Sequence, residues 1–98
     1  MRQPSELISV LLDVSADLNS RDDAAMDLSQ YPCEDSLRAL LIVAKSKTES
    51  EILIASCGES LGEICEKLGE INIVQSSDLH PIALSEFNSK LSRTKNNS

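Results

Sequence analysis

The chain has 98 residues, enough for one domain in which every helix must contribute to a shared core. Its 16 acidic and 9 basic residues leave a net charge of −7, which repels phosphate backbones and anionic headgroups and so disfavours direct binding of nucleic acid or a membrane surface. One Tyr, one Phe and no Trp leave few rings on which bases or sugars could stack, and the core must be aliphatic.

In chain order, Pro4 and Ser5 open a first helix whose apolar stripe is Leu7, Ile8, Leu11, Leu12 and Val14, with an end near Leu18. Leu7 to Leu12 is short, is interrupted by Ser9 and is flanked by Glu6 and Asp13 instead of a basic region, so it does not read as a secretory signal. No apolar run approaches membrane-spanning length, and the expected location is the cytoplasm. Asn19 and Ser20 offer a cap for a second helix, Arg21 to Gln30, with Asp22 and Asp23 in its first turn, where the helix dipole favours negative charge. Ala24, Ala25 and Leu28 give it a small-residue face, and Tyr31 closes it before Pro32 forbids continuation.

Glu34, Asp35 and Ser36 begin a third helix with Leu37, Leu40, Leu41 and Ala44 on one side and Ile42 and Val43 widening the stripe, a pattern that predicts a central helix. Lys45 and Lys47 complement its C-terminal end, and Thr48 stands as the cap of the next helix. That helix, Glu51 to Leu68, is the longest segment in helical register: Leu53, Cys57, Leu61, Ile64, Cys65 and Leu68 recur at steps of three and four on one side. Glu59, Glu63, Glu66 and Glu70 repeat at the same steps on the other, and Lys67 alone answers them locally. The column reads either as a solvated face or as a surface kept acidic for a basic partner. Gly58 and Gly62 each cost about 0.8–1 kcal/mol relative to Ala inside a helix, so their spacing of four predicts a closely packed neighbour. Gly69 marks the helix end.

Ile71 to Val74 reads as an apolar connection, and Ser76, Ser77 and Asp78 are capping candidates for a last helix with Pro81 in its first turn and Ile82, Leu84, Phe87 and Leu91 facing inward. Residues 1–91 thus form a single domain and residues 92–98 a polar tail. The acidity belongs to the body, because residues 1–70 hold 14 acids against 6 bases while residues 71–98 hold 2 against 3.

Cys33, Cys57 and Cys65 are odd in number and lack Cys-x-x-Cys spacing, which points to free thiols in a reducing compartment rather than a disulfide or metal site. His80 has no Cys, Asp or Glu at ligand spacing and reads as a structural or surface histidine. Gly-rich phosphate loops and a Ser/His/Asp arrangement are absent from the sequence, and Asp22 and Asp23, adjacent on a helix, point about 100° apart and form no dyad. The expectation is a protein that is not an enzyme and takes neither cofactor nor metal.

Sliding the chain by 33 residues lays Ala24, Ala25, Leu28 and Tyr31 over Cys57, Gly58, Leu61 and Ile64, a small-small-Leu-apolar match on two helices. A period in the thirties on helix pairs is the mark of an α-solenoid. The segment from Arg21 to Ile64 resembles HEAT-like repeats, and DDAAMDL together with CGESLGEI is similar to small bacterial HEAT-like immunity proteins of contact-dependent growth-inhibition, or polymorphic toxin, systems. The resemblance covers about half the chain. It implies an all-α fold of about five helices packed as antiparallel pairs in a short HEAT-like solenoid, and a cytoplasmic inhibitor, monomeric by itself, that forms a heterodimer with one cognate toxin domain. The acidic balance adds that the toxin is cationic, as a tRNase or DNase must be to attract its substrate. The residues expected to touch it are Asp23 and Asp27, Glu34 and Asp35, Glu59, Glu63 and Glu66, with Tyr31 as the one aromatic anchor near them. The competing reading is a HEAT-like adaptor that presents a groove to a cellular protein unrelated to toxins.

Overall fold

The computed structural model describes residues 3–69 and 78–96, with side chains through Leu91. The fold is all-α, and the described residues form five helices, α1 (Pro4–Leu12), α2 (Leu18–Asp27), α3 (Glu34–Ala44), α4 (Glu51–Leu68) and α5 (Pro81–Asn96), with a 3-10 turn at Leu28–Gln30 and no strand among them. The apolar connection expected at Ile71–Val74, the caps at Ser76 and Ser77, and Glu70 lie outside the described residues.

Local side-chain chemistry moves several boundaries away from their expected places. The first helix stops at Leu12, not near Leu18, because Asp13 Oδ1 accepts both the backbone N–H of Ser15 at 2.9 Å and its hydroxyl at 2.6 Å, an alternative to the helical ladder. Val14 therefore leaves the apolar stripe and is 80% exposed. The cap of α2 is Asp17, whose Oδ1 accepts from Ser20 N–H at 2.7 Å, so the helix begins three residues before Arg21. Asp22 and Asp23 consequently fall past its first turn and owe little to the helix dipole. Ser50, not Thr48, precedes α4, while Ser46 Oγ accepts the N–H groups of Thr48 and Glu49, each at 3.1 Å, in the turn before it. The tail expected from Ser92 begins as helix, since α5 runs to Asn96.

Helix α4 is the hub, packing against α2, the 3-10 turn, α3 and α5, while α1 lies on α2 and α3. Of the stripe that its period predicts, Leu53, Cys57, Leu61, Ile64 and Cys65 are fully buried and Ile54 joins them, whereas Leu68 at the end of the helix is 37% exposed. Helix α3, expected at the centre, instead leaves Ile42 on its outer side, 60% exposed. Gly58 and Gly62 explain how α5 docks so closely. A Cβ at Gly58 would overlap the Ala83 carbonyl oxygen and stand 2.7 Å from Ala83 Cα, and one at Gly62 would stand 2.7 Å from Lys90 Cβ. Bare backbone at these two steps lets α5 bring Ala83 and Phe87 into the core, where burying the Phe87 ring contributes about 1.5–3 kcal/mol. Leu84, expected inward, is 41% exposed. Gly69 ends α4 in the left-handed region, φ 72°, with its N–H donating to Cys65 O at 2.7 Å.

A buried hydroxyl and a backbone N–H each tie two elements together. Ser60 Oγ donates to Ala25 O at 2.7 Å, joining α4 to α2. His80 stands before α5: its N–H donates to Ala44 O at 2.9 Å and its Nδ1 accepts from Ile82 N–H at 3.1 Å, giving the one histidine a capping role.

Candidate functional site

Helices α2 and α4 cross at small residues, and the step between their outer sides forms a groove. From α2 and the 3-10 turn come Met26, Asp27, Ser29 and Gln30, and from α4 come Ser56, Glu59, Ser60 and Glu63. The four α4 residues fall at steps of three and four from one another, Glu59 and Ser60 from Ser56 and Glu63 from both, so their side chains follow one strip of the helix. Asp23 is exposed one turn before Asp27, and Glu66 is exposed one turn beyond Glu63. Five of the expected contact residues, Asp23, Asp27, Glu59, Glu63 and Glu66, thus line or extend one acidic surface.

Two lysines temper it. Lys90 of α5 reaches between the glutamates, with Nζ 3.2 Å from Glu63 Oε1 and 3.9 Å from Glu59 Oε1. Lys67 Nζ donates to Ser29 O at 3.3 Å across the foot of the groove. Partial burial pushes the Glu63 carboxyl up, but the hydrogen bonds from Ser29 and Lys90 and the charges of Lys90 and Lys67 outweigh it and hold the group below the ordinary carboxylate range. Five carboxylates against two ammonium groups still leave a local surplus of negative charge. Lys67 was visible beside Glu63 in the sequence. Lys90 was not, because it lies 27 positions away on another helix and enters only through the glycine-mediated docking of α5.

The remaining expected contacts sit elsewhere. Glu34 and Asp35 open α3, where Glu34 pairs with Arg38 one turn on and Asp35 edges a separate, mostly apolar groove between α1 and α3. Tyr31 is half-buried and packs against the core, which leaves less of its ring for an interface. Asp22 turns inward instead: its Oδ1 is buried with no hydrogen-bond partner among the described residues. Burial, with the Asp22 charge adding to it, pushes the neighbouring Cys57 thiol up to about 12.

Among the described residues no group of three or more His, Cys, Asp and Glu side chains is placed to hold a metal ion, and no helix is long and apolar enough to cross a membrane. No family model, no curated protein and no solved structure matches this chain.

Proposed function

We propose that the chain is a cytoplasmic immunity protein that binds and neutralises one cognate toxin domain, a basic nuclease of the tRNase or DNase type, through the groove between α2 and α4. The observation that carries the reading is the convergence of Asp27, Glu59 and Glu63 on that groove in a chain of net charge −7. A nuclease cleft must be positive to draw in a phosphate backbone, and an acidic groove competes for the same field. The half-exposed Ser56 hydroxyl lies beside the carboxylates and would hydrogen-bond the amides and guanidinium groups of such a cleft. The resemblance of DDAAMDL and CGESLGEI to HEAT-like immunity proteins supports the same reading, with stacked helix pairs serving as a rigid mount.

This reading expects a large secreted protein to be encoded next to this gene, and the test is co-expression with the C-terminal domain of that protein. Growth inhibition by that domain should be relieved by this chain and not by a variant carrying Glu59→Lys and Glu63→Lys. Absence of rescue by the unaltered chain would overturn the reading and favour a HEAT-like adaptor.

A further inference from the structure

The outer side of α3 carries a pattern that the acidic groove does not use and that meets the core only at Ala39 and Leu41. Asp35, Arg38, Ala39 and Ile42 are spaced three, four and seven from the first, the four corners of one hole on a helix surface, and they form the α3 wall of the hollow that α1 closes with Ile8 and Leu12. Arg38, Leu41, Ile42 and Lys45 are the corners of the next hole, a second hollow that shares Arg38 and Ile42 with the first. Ile42 stands between the two, 60% exposed, with Leu12 beside it at 37%. The charges along this strip are polarised: Asp35 at its start, where Glu34 is already answered by Arg38 one turn on, and Lys45 at its end.

We infer that this face docks a second copy of the same chain, α3 against α3 in antiparallel register about a two-fold axis level with Leu40. Such a pairing sets Asp35 of each copy opposite Lys45 of the other, and sets Ile42 opposite Arg38, so that each Ile42 enters the hollow bounded by Ile8, Leu12 and Ala39 of its mate. Parallel docking would oppose acid to acid and base to base. The antiparallel register is therefore the one that the charges select, twice over in a symmetric contact. The acidic groove is built from α2 and α4 and takes no part, so each copy keeps it available.

Sedimentation of the full chain over a wide concentration range tests this. The 10.7 kDa chain should approach twice its mass as concentration rises. Ile42→Arg, at an exposed position whose fold is checked by circular dichroism, should weaken association by roughly tenfold or more. Asp35→Lys and Lys45→Asp should each weaken it, and the double variant Asp35→Lys/Lys45→Asp should restore it, because the reversed pair is again complementary. A chain monomeric at every concentration, a dimer indifferent to Ile42→Arg, or a double variant no better than the singles would overturn the proposal.

Discussion

Arg21 grips Glu49 with both arms of its guanidinium, Nη1 to Oε1 at 2.9 Å and Nη2 to Oε2 at 2.6 Å, while its Nε donates to Leu11 O at 2.9 Å. One side chain thereby joins the end of α1, the body of α2 and the turn before α4, with Arg21 only 7% exposed and Glu49 21%. Removing one partner of a buried pair leaves the other charge stranded, at about 3–5 kcal/mol where burial is complete and about 2–3 kcal/mol here, where Glu49 keeps some water. Glu49→Ala should lower the unfolding free energy by that amount in urea melts. Arg21→Ala should cost at least as much, because Leu11 O also loses its donor.

The same pair sets a pH dependence. The hydrogen bonds from Arg21 hold the Glu49 carboxyl below its ordinary value of 4.5, against the opposing effect of burial. With the folded value depressed, the unfolded chain takes up the proton first as pH falls, so the stabilisation is complete above 4.5 and disappears as pH drops through the folded value. Glu63 shifts in the same direction. Urea midpoints should hold from neutrality down to about pH 4.5 and decline below it, and Glu49→Gln, although less stable at neutral pH, should decline less steeply.

Gly58 and Gly62 should respond unequally to the same substitution. Alanine gains about 1 kcal/mol in helix propensity at either site, so the sign of the effect depends on what the new methyl group meets. At Gly58 it meets the backbone of Ala83, which yields only if α5 moves as a body. At Gly62 it meets the Lys90 side chain at 2.7 Å and the Phe87 carbonyl oxygen at 3.3 Å, where small shifts relieve part of the overlap. Gly58→Ala should destabilise by about 2–3 kcal/mol net and Gly62→Ala by about 1 kcal/mol, within the overpacking range. Thermal unfolding of the two variants orders them directly.

The helices whose signal is periodic were legible from the residues alone: α4 has the bounds its stripe predicts, α3 begins at Glu34, and the two glycines foretold a close neighbour without naming it. What stayed hidden was set by contacts across the sequence or by short-range competition. Asp13 ends α1 and Asp17 starts α2 through single side-chain hydrogen bonds that apolar spacing cannot register. Arg21 looked like the start of a helix and is a buried tie to Glu49, 28 residues away. The acidic surface was half visible: the strip of Glu59, Glu63 and Glu66 follows from helical spacing, but its pairing with Asp27 and its tempering by Lys90 needed the docking of α2 and α5 onto α4. Glu34 and Asp35 were grouped with it by charge alone, and α3 carries them to another groove.

The three cysteines should differ in reactivity. Cys57 and Cys65 are fully buried, whereas Cys33 is half-buried at the start of α3 with its sulfur 3.4 Å from Ser36 Oγ. A thiol pushed up to about 12 holds roughly one thiolate in ten thousand at pH 8, so native Cys57 should resist alkylation on both counts. Iodoacetamide pulses followed by peptide mapping should label Cys33 first and Cys57 only at the rate of unfolding. Prompt labelling of Cys57 would contradict the packing of α4 against α2.

Lys90 offers a test of the acidic groove that strengthens the surface instead of destroying it. Its ion pairs with Glu59 and Glu63 are partly solvated, so their loss should cost only about 0.5–1 kcal/mol of stability. Lys90→Met keeps the aliphatic stem that packs over Gly62 and removes the ammonium group, leaving both carboxylates to a cationic partner. If the toxin docks there, Lys90→Met should speed association severalfold at low salt, while the reversal of Glu59 and Glu63 to lysine should slow it at least tenfold. The difference between the variants should shrink as ionic strength rises past the point where the screening length falls to about 8 Å. Stopped-flow association at several salt concentrations would register all three effects, and identical rates for the two variants would place the contact on another face.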